Sequence, residues 1–122
     1  MSRVVLSNEE RKVFFKDFID AIDYSQKAGI LSDFLLDFFS QTELDSFIKR
    51  LEVFKRLHTG HSYAKLNQDL SVSPITASKV SRSLRDSSDS FKGILDALSS
   101  PAEVVTKSQP VQKDNKRSSY LG

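Results

Sequence analysis

The stretch Ser62-Tyr63-Ala64-Lys65-Leu66-Asn67-Gln68-Asp69-Leu70-Ser71-Val72-Ser73-Pro74-Ile75-Thr76-Ala77-Ser78-Lys79-Val80-Ser81-Arg82-Ser83-Leu84-Arg85 decides how this 122-residue chain is read. Leu66 and Leu70 lie one turn apart on a segment that Ser62 can cap. Ser71-Val72-Ser73 is a tight connection. Pro74 then stands at the first position of a helix behind Ser73 as its N-cap, where its missing N–H costs nothing. Ala77, Val80 and Leu84 share one side of that helix at spacings of three and four. Together with Leu66, Leu70 and Val72 they would fill the angle between two crossed helices. The other side presents Ile75, Ser78, Lys79, Arg82 and Arg85, which are polar, basic or long-reaching. A helix-turn-helix needs this division, because its second helix packs inward on one side and enters a DNA major groove on the other.

The rest of the chain also reads as short capped helices, with no alternating strand pattern, so the fold class is all-α. Ser7-Asn8-Glu9-Glu10 has the capping-box form, and Gly29 ends the helix it opens, expected over about 8–27. Phe14, Phe18 and Ile22 recur every four residues there, with Phe15 and Ile19 beside them, which gives one wide apolar face. Ser32 can cap a short second helix over 33–38. Ser40-Gln41-Thr42-Glu43 is a second capping box, opening a helix with Leu44, Phe47, Leu51 and Phe54 on one face until Thr59-Gly60. After a polar link over 87–90, Phe91, Ile94, Leu95 and Leu98 form a last amphipathic helix closed by Pro101. Residues 1–100 read as one helical DNA-binding domain, with the helix-turn-helix at about 62–85. Residues 101–122, rich in Gln, Lys, Ser and Pro, read as a disordered basic tail.

Charge supports the same reading. Residues 46–85 carry eight Lys and Arg against two Asp and Glu, whereas residues 1–45 carry five against nine. A basic block between acidic neighbours suits a protein that turns one face to a polyanion. Nine Phe, eight of them before residue 55, offer more apolar area than one thin layer of helices can hide. That points to a homodimer. With no cysteine there is no disulfide framework, thiolate zinc site or cysteine nucleophile. No apolar run exceeds three residues, which excludes a membrane span and a signal peptide and implies a soluble cytoplasmic protein.

Arg50-Leu51-Glu52-Val53, then Gly60 with Ser62-Tyr63, then Val72-Ser73-Pro74-Ile75-Thr76-Ala77-Ser78-Lys79-Val80 resemble the Trp repressor superfamily, and most of all its YerC/YecD-type branch. The likeness spans roughly residues 32–98. It implies a multi-helix, intertwined homodimer whose reading heads bind double-stranded DNA as a transcriptional regulator and repressor. Pro74, Ile75, Ser78, Lys79 and Arg82 would face base edges, and Ser62, Tyr63, Lys65, Ser81 and Arg85 would hold phosphates. The resemblance also implies a candidate effector pocket at Ser40, Arg50 and Lys79. Trp repressor itself holds its corepressor partly with an Arg-Gly pair on the recognition helix, and here Lys79-Val80 replaces that pair. Lysine is a point charge and not a planar fork, and Val80 puts a branched side chain where a flat ring needs bare backbone. Tryptophan is therefore not the expected ligand, no other cofactor is implied, and no small effector is identified. Asn67, where many such motifs carry Ala, suggests a looser helix crossing.

Other chemistry is thin. His58 and His61 flank Gly60 with no carboxylate or Cys at ligand spacing, which argues against a metal site and for solvent or phosphate neighbours. No Gly-rich phosphate loop or Ser/His/Asp order occurs, so no enzyme is expected. A rival reading makes the same bihelical unit a protein-interaction module without sequence-specific DNA binding. Salt separates the two, because phosphate contacts weaken by decades through counterion release and an apolar interface does not.

Overall fold

The computed structural model describes residues 5–99. The described residues form six helices and no strand: α1 (Asn8–Lys27), α2 (Leu31–Phe38), α3 (Gln41–His58), α4 (Tyr63–Leu70), α5 (Pro74–Arg85) and α6 (Asp89–Leu98). The expected tail lies outside the described residues. The chain divides into two compact units, the first ending at Leu44 and the second starting at Asp45.

In the first unit, Ser7 and Glu10 form the expected capping box. The Ser7 hydroxyl accepts from Glu10 N, and the Glu10 carboxylate from Ser7 N, both at 3.0 Å. α1 stops at Gly29, whose φ of 76° is open to glycine without a Cβ clash. There Gly29 N donates to the Gln26 carbonyl and Ile30 N to the Ser25 carbonyl, which satisfies two orphan acceptors of the last turn. α2 begins two residues earlier than the sequence suggests. Its N-cap is Ile30, with no side-chain hydrogen bond, and Ser32 lies inside the helix. Phe18 of α1 meets Phe38 of α2 at 5.7 Å between ring centroids, and Phe38 stacks on Phe34 at 5.4 Å.

The second unit holds the core: Val53, Phe54, Leu66, Val72, Ala77, Val80 and Leu95, with Leu57, Leu70, Leu84 and Phe91 packed against it. All six apolar positions of the 62–85 motif are in this set, four buried and Leu70 and Leu84 partly so. The Phe54 ring meets Phe91 edge-on at 4.9 Å, an arrangement that aromatic quadrupoles favour. The second end of α3 repeats the closure of α1: Gly60, at φ 98°, donates to the Leu57 carbonyl and His61 N to that of Arg56. α6 starts at Asp89 behind Ser88, whose hydroxyl accepts from Phe91 N, so the polar link is shorter than expected.

Candidate nucleic-acid interface

Each helix of the α4–α5 pair is started by a serine. The Ser62 hydroxyl accepts from Lys65 N at 3.1 Å, and the Ser73 hydroxyl from Thr76 N at 3.1 Å, with Pro74 at the opening of α5. The turn between them is held from both sides. Ser71 takes the left-handed conformation, φ 56° and ψ 41°, which aims the chain into α5 within three residues. Asn67 Nδ2 donates to the Val72 carbonyl at 3.1 Å, across the same turn. Asn67 is therefore a pin between α4 and the turn and not a source of looser crossing.

With that turn fixed, α5 buries Ala77 and Val80 and half-buries Leu84, so Ile75, Lys79 and Arg82 fall on the opposite side at spacings of four and three. Pro74, Ile75, Lys79, Arg82 and Arg85 are exposed, and Ser78 and Ser81 half-buried at the edges of that face. Ser62 and Tyr63 are exposed at the start of α4.

Electrostatics sharpen the division. The basic block has two acids, and both are engaged away from α5. Glu52 accepts from Arg56 Nε at 2.7 Å and lies 3.4 Å from Lys55 Nζ. Asp69 accepts from Arg56 at 3.3 Å and lies 3.4 Å from Lys65 Nζ. Partial burial opposes ionisation of Glu52, but the hydrogen bond from Arg56 together with the Lys55 charge outweighs it, and the carboxyl is held below its ordinary range. Lys65 therefore shares its charge with Asp69. Among the described residues, Lys79, Arg82 and Arg85 form no ion pair. α5 thus carries the unneutralised positive charge of the second unit's bihelical part.

His58 is not a solvent neighbour. Its Nε2 lies 2.7 Å from Asp96 Oδ1 and ties the end of α3 to α6. The partner is 38 residues away, so no local spacing announces it. His61 Nδ1 sits 3.2 Å from the Arg56 carbonyl oxygen.

A cleft of about 340 Å³ opens between α3, the turn and α5, with Val53, Val72 and Val80 as apolar wall and Lys49, Arg50 and Thr76 beside it. The Arg50 guanidinium carbon lies 5.1 Å from the centroid of the Phe54 ring, in cation–π range. Of the candidate effector residues, Arg50 lines this cleft and Lys79 does not. The Ser40 hydroxyl accepts from Glu43 N at 3.1 Å and caps α3.

Two short helices joined by a three-residue turn, the second packing one side inward and presenting a cationic stripe on the other, define a helix-turn-helix DNA-binding domain. A family model for the Trp repressor protein matches residues 14–99, and the chain belongs to the Trp repressor family, whose members are DNA-binding regulators. No curated protein and no solved structure matches it.

Proposed function

We propose that this protein is a sequence-specific double-stranded-DNA-binding transcriptional repressor of the YerC/YecD-type branch, acting in the cytoplasm as an intertwined homodimer. The observation that carries this reading is the α5 face, where Ile75, Lys79 and Arg82 are exposed in one stripe, while Glu52 and Asp69, the two acids of the basic block 46–85, are paired with other cations. In this reading Pro74, Ile75, Ser78, Lys79 and Arg82 face base edges. Ser62, Tyr63, Lys65, Ser81 and Arg85 hold phosphates and set the register.

Selection of bound sequences from a random duplex pool, followed by affinity measurements on two variants, tests it. Arg82→Ala removes a bidentate guanine contact, weakens binding by about 1–3 kcal/mol and relaxes sequence preference. Arg85→Ala weakens all duplexes alike and lowers the salt slope by about one unit per lost phosphate contact. If Arg82→Ala leaves affinity and preference intact, α5 is not the reading helix and the bihelical unit docks a protein.

The same reading includes independence from tryptophan. Val80 is 4% exposed and puts its branched side chain in the apolar lining of the cleft, and Lys79 is not among the residues that line it. Adding tryptophan to the selected duplex complex should leave its Kd unchanged. A tenfold tightening overturns this part of the proposal.

A further inference from the structure

Ile75 is the large apolar residue of α5 that the core does not explain. It is 70% exposed, and it follows an exposed Pro74 at the tip of the helix. A β-branched side chain gains nothing from water there and is a weaker helix former than Ala or Lys, so neither packing nor propensity accounts for it. Its neighbours on the same side are Ser78 and Lys79, three and four residues on, and Lys79 is without an ion pair among the described residues. The surface that α5 fits therefore combines negative potential with one small apolar group close to acceptor atoms. In the major groove the pyrimidine C5-methyl is such a group, and it stands beside the O6 and N7 acceptors of a neighbouring guanine. Phosphates offer an aliphatic side chain nothing.

We propose that Ile75 is a specificity-determining residue that contacts a pyrimidine C5-methyl, the thymine of a T·A pair, and that Lys79 contacts a guanine near it. The inference rests on the DNA-binding reading above and names the base chemistry at that face. Four residues of helix rise about 6 Å, against about 3.4 Å per base pair, so the two bases lie one or two steps apart. Thymine and 5-methylcytosine place the same methyl in the same position, and the experiment separates them.

The test uses the full chain and the duplex selected from the random pool. Each thymine of a half-site is replaced singly by deoxyuridine, which removes only the methyl, and affinity is measured for the wild type and for Ile75→Ala and Ile75→Val. Ile75→Ala lies at an exposed helical position and should keep its helical circular dichroism. One uridine position is expected to weaken the wild type about four- to tenfold per half-site, to weaken Ile75→Val less, and to leave Ile75→Ala unaffected. Uridine costs that are equal in wild type and Ile75→Ala, or absent at every position, overturn the proposal. If 5-methylcytosine paired with guanine at the sensitive position binds more tightly than thymine, the assignment to thymine is overturned. If no duplex is selected at all, the DNA-binding reading itself has failed. Selection that succeeds without a methyl-sensitive position removes only the role of Ile75.

Discussion

At the scale of single residues, the turn of the bihelical unit depends on a serine in a conformation that serine disfavours. Ser71 sits at φ 56°, where its Cβ crowds the following carbonyl at a cost of about 1–2 kcal/mol. Glycine pays no such cost in the folded state but loses more freedom on folding, so the two effects partly cancel. We expect Ser71→Gly to be neutral or stabilising by up to about 1 kcal/mol, a rise of a few degrees in Tm by thermal denaturation. A clear loss of stability would mean that the Ser71 side chain contributes more than the strain costs. Neither Ser71 nor Asn67 was legible in advance. The left-handed residue lacks the usual Gly, and the Asn67–Val72 bond exists only once the chain has turned. Val80, by contrast, was readable as an inward residue because Ala77 and Leu84 repeat its side.

At the scale of elements, helix starts were readable at Ser7, Ser40, Ser62 and Ser73, where a side chain makes the cap, whereas Ser88 caps α6 in the same way but was hidden in the polar run over 87–90. α2 was misread for the complementary reason. Its first turn is entered from the closure at Gly29 and capped by backbone alone, so Ser32 looked like a cap that the chain does not use. The tie between α3 and α4 was equally hidden, since Arg56 and Asp69 are 13 residues apart. The pH signature belongs to the other partner of Arg56, Glu52, within α3. The Glu52 carboxyl, ordinarily at 4.5, is lower in the folded protein, so the unfolded chain binds its proton first. Its stabilising contribution is complete above that ordinary value and disappears as pH falls through the lower, folded one. Glu52→Gln should therefore lower Tm at neutral pH, by the equivalent of no more than about 1 kcal/mol because the pair is only partly buried. The difference from wild type should close as pH is taken below the ordinary carboxylate range. A difference that persists unchanged into acid would assign the effect of the substitution to something other than charge.

At the scale of the whole molecule, the surplus of aromatic residues noted in the sequence is visible in where the phenylalanines lie. Of the eight before residue 55, Phe54 is buried, whereas Phe14, Phe15, Phe38 and Phe47 are exposed, Phe15 at 61%. α1 also exposes Val13 and Ile19, and α3 exposes Ile48 and Leu51. Each face by itself exceeds what scattered surface residues explain, and a self-complementary second copy would remove both from water. The prediction is a homodimer whose folding and association are coupled, so that Tm rises with protein concentration. Leu51 is 41% exposed in the single chain, so Leu51→Asp puts no charge into the core cluster. Its charge would be buried only by a partner. Sedimentation of the wild type should give twice the 13.8 kDa chain mass at micromolar concentration. Leu51→Asp should shift the mass toward one chain and lower Tm together, by several kcal/mol if the aspartate is left unpaired in the interface. A wild type that sediments as a monomer removes the dimer. A Leu51→Asp variant that stays dimeric with unchanged Tm removes α3 from the interface and leaves α1 as the face to be mutated next.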